Sequence, residues 1–293
     1  RTHKPGVGGS NPPLATKISM INILNFCLTL DPKHENLIKK LSYTPVVLGE
    51  KVFSKESFSD KIGNNISHKN PYYGEYTFHY WIWKNYLDKL NTEWVGFCQY
   101  RKFFVIRDVD EFSLSFKELK EVSINKISND LDDFDCILGK KFSVENYKLI
   151  KIIKHHLIDF LSNPLTLISK KRRTLKFHFD LFHGKGNLQK AIDLLDTSNK
   201  YDFNNFMNSK TSFNPHNMFI CKTKFLKNYY DSVFPWLERC EKIFGFEKLQ
   251  GYGMQRIYGF LAERYLSYWF NKYTKPKTWP IFFYDTNKNI VKL

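Results

Sequence analysis

MINILNFCLTLDPKHENLIKKLSYTPVVLGE, residues 20–50, holds an apolar run from Ile21 to Leu30, a polar helix-like stretch after Asp31-Pro32, and a second apolar run ending at Gly49. Asp31 is suited to an N-cap, and Pro32 fits the first helical turn because its fixed φ is helical and its missing N–H has no intrahelical partner there. Two short apolar runs around one helix make a β-α-β unit, which predicts parallel strands. Asn22 and Asn25 interrupt the first run, and it falls short of the roughly 18 to 20 residues of a membrane span. It reads as a buried strand.

The same alternation continues down the chain. WVGFCQYRKFFVI (94–106) has the Val and Phe content of a central strand running into charged residues, and FDCILGKK (134–141) repeats that scheme. HNMFICK (216–222) is a short strand followed by two helices, FLKNYYDSVFPWLERCEKIF (225–244) and MQRIYGFLAERYLSYWF (254–270). Residues 143–210 are more helical and basic, and SVENYKLIKIIKHHLIDFL (143–161) spaces its apolar residues as an amphipathic helix does. The organisation is therefore one domain over 20–293 with a helical basic insertion at 143–210. Ahead of it, RTHKPGVGGSNPPLATK (1–17) carries turn formers without periodicity, so 1–19 reads as a disordered leader. VGGSNPPLAT is what the arm of a tRNA gene gives when read as codons, which places the expected start at Met20.

The chain carries 45 Lys+Arg against 29 Asp+Glu, a net charge of +16, and still +13 without Arg1, Lys4 and Lys17. That balance favours phosphate-bearing partners: nucleic acid, an anionic membrane surface or a phosphorylated small molecule. Lys170 to Arg173 form a basic run that reads either as a solvated charged face or as a phosphate or membrane patch. Cys27, Cys98, Cys136, Cys221 and Cys240 are odd in number and nowhere spaced as CxxC, so neither a disulfide framework nor a zinc site is indicated. The expected location is cytoplasmic, peripheral at the inner membrane.

Chemistry concentrates between residues 60 and 104. PYYGEYTFHYWIWKN (71–85) predicts a buried helix from near Tyr73, with Tyr73, Tyr76, Tyr80, Trp83 and Leu87 on one face. Glu75 and His79, one turn apart, can pair as core residues. Alternatively, Glu75 lies at the active edge, its pKa raised by desolvation or lowered by a nearby cation. The preceding loop offers Asp60, Asn64, Asn65, Ser67 and Asn70 around Gly63, a density that suits either a base and ribose or simply a turn. Arg101 and Lys102, at a strand end, are placed to neutralise a diphosphate.

Four separated motifs then carry a resemblance: GNNISHKNPYYGEYTFHYWIWKN (63–85), QYRKFF (99–104), NMFI (217–220) and RIYGFLAER (256–264). Over about residues 43–270 the chain resembles a bacterial family once labelled only as a domain of unknown function, found in capsular and exopolysaccharide gene clusters and regarded as glycosyltransferases. Gln99 stands where that family has His, Lys102 where it has Arg, and Asn64 where it has Asp. An amide takes up no proton near pH 7, so Gln99 serves neither as base nor readily as a ligand for a hard cation.

The resemblance implies a GT-A-like, Rossmann-like α/β fold, a mixed sheet flanked by helices with a nucleotide-sugar donor at the strand ends. The donor is expected to be UDP-linked, a galactosyl or galactofuranosyl group, passing to a capsular, exopolysaccharide or lipopolysaccharide glycan. Donor contacts are expected from Asp60, Asn64, Asn65, Ser67, Asn70, Lys84, Arg101 and Lys102, and acceptor contacts from His216, Asn217 and Arg256. Glu75 and Glu263 compete as catalytic base, with Asp135 behind them. The Asp-x-Asp at Asp108 and Asp110 reads as a surface loop, so no metal is expected to be required; Mg²⁺ or Mn²⁺ stays open. A basic nucleic-acid-binding module without catalysis is the competing class, though no such motif is present and the basic residues are dispersed.

Overall fold

In a computed structural model, residues 20–49, 54–55, 57–109, 114–128, 131–145 and 169–286 are described. The first strand, β1 (Met20–Thr29), lies inside the sheet, next to its edge strand. Asp31 caps the turn after it by accepting from the Lys33 amide, helix α1 (Glu35–Lys40) follows, and β2 (Thr44–Val47) returns parallel to β1. Helices α2 (Asn70–Tyr73) and α3 (Tyr76–Trp81) lead into β3 (Trp94–Gln99), parallel to β1 on its other side. A tight turn joins β3 to β4 (Lys102–Phe104). After α4 (Phe116–Val122) come β5 (Lys126–Ser128), β6 (Cys136–Gly139) and a ribbon of β7 (Phe142–Ser143) with β8 (Ser212–Phe213). Strand β9 (Phe219–Lys222) runs antiparallel between β3 and β6, and β10 (Pro276–Trp279) and β11 (Ile281–Phe283) close the sheet against β6 and β4.

The sheet is buried on both faces, which is why its strands read as near-continuous apolar runs. Along β1, Phe26 and Leu28 enter one core while Ile23 and Cys27 enter the other, the period of two expected of a strand. Asn25 is tolerated in this run because its amide donates to the Ile124 carbonyl at 2.8 Å. Its neighbour on β3 is Gly96, where a Cβ would stand 2.0 Å from Asn25 Oδ1.

The long helices Leu226–Phe244 and Ile257–Tyr273 cover the Phe26 face. Three helices of the insertion, Leu175–His183, Asn187–Asp193 and Thr197–Ser209, add Leu175, Phe179, Leu188 and Phe203 to the same core. Most of the helix expected at 143–161 lies outside the described residues. Within the basic run, Arg173 turns inward and donates to the Glu145 carbonyl at 2.7 Å, so it is no part of a surface patch.

The aromatic stretch departs from the single helix expected. It breaks at Gly74, whose φ is +58°, and ends in a widened π-type turn at Ile82–Tyr86. The position also has a neighbour distant in sequence: a Cβ on Gly74 would lie 2.1 Å from Arg256 Nη2, so a side chain has no room there. Tyr80 and Trp83 pack on Phe234 as one face, whereas Tyr73, before the break, stacks on Tyr258 with ring centroids 4.8 Å apart. The Glu75–His79 pair does not form. His79 Nδ1 meets the Tyr230 hydroxyl at 3.0 Å, and the imidazole lies wholly buried against Phe97 and Phe219.

Burial holds several imidazoles far below their usual range: His79 at about 3, His183 at about 3 and His178 at about 2, the last two helped by Arg264. The unfolded chain takes up protons at these positions below about pH 6.5, whereas the folded chain does not. Stability is therefore expected to fall as pH drops from about 6.5 toward 4, by up to about 1.4 kcal/mol per pH unit for each such histidine. Melting curves at pH 7 and pH 5 check this; an equal or higher melt at pH 5 would contradict it.

Candidate functional site

Open α/β sheets place ligands beyond the carboxyl ends of their parallel strands. Here a cleft of about 310 Å³ opens at that edge. Its floor comes from Leu28 to Leu30 at the end of β1, Leu48 after β2 and Gln99 to Lys102 from the end of β3 onward. Because β9 is antiparallel, its leading residues His216 and Asn217 reach the same edge. Gly74 and Glu75, at the helix break, form one wall, and Arg256 and Glu263 of the late helical region form another.

These groups hold one another. Glu75 Oε1 accepts from Gln99 Nε2 at 2.7 Å, and Oε2 meets Arg256 Nη2 at 3.4 Å. The same Gln99 nitrogen donates to the His216 carbonyl at 3.0 Å. Thus Gln99, which cannot act as a base, orients Glu75 instead. The carboxylate sits half-buried among polar donors rather than in the aromatic surroundings expected. Glu263 accepts from the His216 amide with one oxygen and from Arg264 with the other. Arg264 is 2% exposed and lies over the Phe213 ring.

His216 and Asn217 have φ of +80° and +53°, left-handed values unusual for residues with side chains. Glu263, Gln99 and the bond from Asn217 Nδ2 to the Gly259 carbonyl pin this kink, so its strain is borne by the surrounding structure. Burial, with the Lys102 charge beside it, lowers His216 to about 4, so the ring is neutral at pH 7 and Nδ1 accepts from Lys102 Nζ at 3.0 Å. Burial pushes the Lys102 ammonium down in turn, against the opposing pull of Glu75 and Glu263. Arg101 is exposed at the rim, its guanidinium over the rings of Tyr100 and Phe283.

Of the residues expected from sequence, Glu75, Glu263, Asn70, Arg101, Lys102, His216, Asn217 and Arg256 meet around this cleft. The others lie outside its lining. Asn65 spends its side chain on Lys61, Gly63 and Ser67, and Asn64 exchanges backbone bonds with the Asn85 amide, so these residues and Ser67 build the turn. Asp60 is fully buried, its pKa raised by that burial. Lys84 packs 3.2 Å over the Trp83 ring. Asp135 stands at the start of β6, which its pairing with β9 puts at the opposite edge of the sheet.

Sequence reasoning missed Tyr100 and Tyr252 as lining residues. Tyr252 had a signal, its position between Gly251 and Gly253.

The sequence profile of a family described as a domain of unknown function, DUF4422, matches residues 28–275. The chain belongs to that family. No curated protein matches this DUF4422 chain. Among solved structures it is similar to the apo form of WbbM, described as a bifunctional glycosyltransferase, with a TM-score of 0.65 and 19% identity. The match covers 90% of this chain and 45% of WbbM, so the DUF4422 chain spans less than half of that structure. The likeness confirms the GT-A-like class of the fold, a mixed sheet flanked by helices. Looser matches are core-mannan synthase A from Aspergillus fumigatus, at TM-score 0.33 and 13% identity over 91% of this chain and 75% of that one, and the mannosyltransferase Ktr4p of S. cerevisiae, at 0.29 and 12% over 82% and 66%. Neither superposes closely enough to bear on the site.

A GT-A-like fold raises the question of a divalent cation, and the described residues do not fit one. Both glutamates of the cleft are already matched with Arg256 and Arg264, and Gln99, Lys102 and the His216 amide lie beside them. Asp108 is exposed and bonded to Lys140, away from the cleft lining, and Asp110 lies outside the described residues. Among the described residues no cluster of His, Cys, Asp or Glu has the make-up of a metal site, and no helix is long and apolar enough to cross a membrane.

Proposed function

We propose that this chain is a glycosyltransferase that moves a sugar, galactosyl or galactofuranosyl, from a UDP-linked donor to a surface-polysaccharide glycan. The observation that carries the proposal is the meeting, in one cleft at the carboxyl edge of the sheet, of the cations Arg101 and Lys102 with a carboxylate held by polar partners. Arg101 and Lys102 follow β3 directly and supply fixed positive charge where a departing diphosphate would develop its own negative charge. In the proposed step, Glu75 takes the proton of an acceptor hydroxyl. The hydroxyl oxygen of the acceptor bonds to the anomeric carbon, and the carbon–oxygen bond to the diphosphate breaks with its electron pair going to UDP.

Glu75 is favoured over Glu263 because the two are held differently. Glu75 Oε2 has only the long 3.4 Å contact with Arg256, whose side chain is 29% exposed and can turn to solvent. Protonating Glu263 would strip the counter-charge from a guanidinium 2% exposed, which is far more costly. The acceptor is proposed to be lipid-linked at an anionic membrane face, to which Lys170 and Arg172 add attraction on the order of 1 kcal/mol per residue near the surface.

The test is a thermal-shift panel of UDP-sugars beside single-stranded nucleic acid, followed by donor hydrolysis with and without EDTA. A UDP-sugar is expected to raise the melt, and hydrolysis is expected to persist in EDTA. Arg101→Ala is expected to lower turnover at least roughly tenfold, equal to about 1.4 kcal/mol of transition-state binding. A melt raised by nucleic acid alone would replace this reading, and activity abolished by EDTA and restored by Mn²⁺ would reinstate a metal.

A further inference from the structure

One wall of the cleft has no part in the donor and proton-transfer steps described above. Tyr252 lines the cleft yet is 69% exposed, and its mounting is rigid. Gly251 before it adopts φ +77°, a conformation strained for any residue with a side chain. Gly253 after it packs so closely on the insertion that a Cβ would stand 2.3 Å from the Phe182 carbonyl oxygen. The Gly253 carbonyl also meets His183 Nδ1 at 2.9 Å, with His183 deprotonated by burial and Nδ1 therefore carrying the tautomeric hydrogen. The insertion thus clamps the turn that carries the ring.

The ring itself is backed from within the cleft. Phe260 meets Tyr252 edge-to-face with centroids 5.8 Å apart, and His183 stacks on Phe260 at 4.1 Å. The Arg256 guanidinium lies 5.8 Å from the Tyr252 centroid and reaches Glu75 with its other end. The buried His183 and the partly buried Phe260 therefore support an exposed ring, and a single side chain separates that ring from the carboxylate.

We propose that Tyr252 is the stacking platform of the glycan acceptor. A hexopyranose presents an apolar face of C–H groups, and a tyrosine ring presents a flat, electron-rich face with little conformational entropy to lose. A sugar seated on Tyr252 has its hydroxyl edge turned toward the Arg256–Glu75 pair, where a proton must be removed. The donor cations Arg101 and Lys102 come from different elements, the β3–β4 turn and the start of β4 on the cleft floor, so the two substrates are held by separate parts of the chain. The inference rests on the transferase reading and adds to it the acceptor's subsite and its chemical class, a pyranose with one unsubstituted C–H face. The insertion gains a role with it, since the helix Leu175–His183 fixes the platform.

The experiment uses the full chain with saturating UDP and a panel of disaccharides built from galactose, glucose, mannose and rhamnose. Saturation-transfer NMR reads which C–H protons touch the protein. At least one disaccharide is expected to bind through the protons of one ring face. Tyr252→Ala is expected to raise its dissociation constant at least tenfold, Tyr252→Phe less than threefold, and Tyr201→Ala, an exposed tyrosine outside the cleft, not at all. The melt of each variant with UDP separates this from donor binding, which is expected to change less than twofold. Failure of UDP to raise the wild-type melt would bring down the transferase reading and this inference with it. Normal UDP binding combined with no disaccharide contact, or with undiminished binding in Tyr252→Ala, would overturn the platform alone.

Discussion

Glu75→Gln is expected to melt within a few degrees of the parent chain while losing about 10² to 10⁴ of its transfer rate, the usual contribution of a positioned general base. The fold should tolerate the change because the amide can still accept from Gln99, and Arg256 is exposed enough to exchange its partner for water. Half-exposed ion pairs of this kind are worth only about 0 to 1 kcal/mol. UDP binding is expected to persist, since the donor cations Arg101 and Lys102 are untouched. The decisive measurements are a thermal melt, a UDP shift and a transfer assay on the same preparation. A normal melt with transfer near the parent rate would make Glu75 an orienting residue and reopen the choice of base.

The opposite pattern is expected at Glu263. In Glu263→Gln the buried guanidinium of Arg264 loses its charge partner, and breaking a buried pair from one side costs about 3 to 5 kcal/mol. For a domain of this size that is a fall in melting temperature on the order of 10 °C. The single amide oxygen can then accept from the His216 amide or from Arg264 but not from both, which loosens either the left-handed kink at the cleft or the hold on the guanidinium. Removing both charges separates these effects: Glu263→Gln with Arg264→Met should recover part of the lost melt, because no buried charge is then left unpaired. A single variant that melts like the parent would show that Glu263 is not the anchor and would put it back in contention as the base.

What the sequence by itself determined is local in origin. The alternation along Ile21–Leu30 placed Phe26 and Leu28 on one face and Ile23 and Cys27 on the other because side-chain direction in a strand repeats every two residues. Asp31 capped the first turn as expected because a cap acts within three residues of itself. The positions of Arg101 and Lys102 at the cleft were likewise legible, since a strand followed by basic residues ends at the sheet's carboxyl edge wherever it runs parallel to its neighbour.

Tertiary structure alone decided who pairs with whom. Helical spacing put His79 one turn from Glu75, and the backbone keeps it there, but Glu75 at the start of the helix turns its side chain to Gln99 and Arg256 while His79 goes into the core beside Tyr230. Asn65 and Ser67 have the composition of a ligand loop, yet their side chains bond within the turn, and the Asn64 backbone is held by Asn85. Tyr252 reaches the cleft only because Gly253 lets its turn lie flat on Phe182 of the insertion. Each of these outcomes hangs on a contact between residues far apart in the chain. Such contacts depend on where packing brings backbones within van der Waals range, a quantity that no window of neighbouring residues contains.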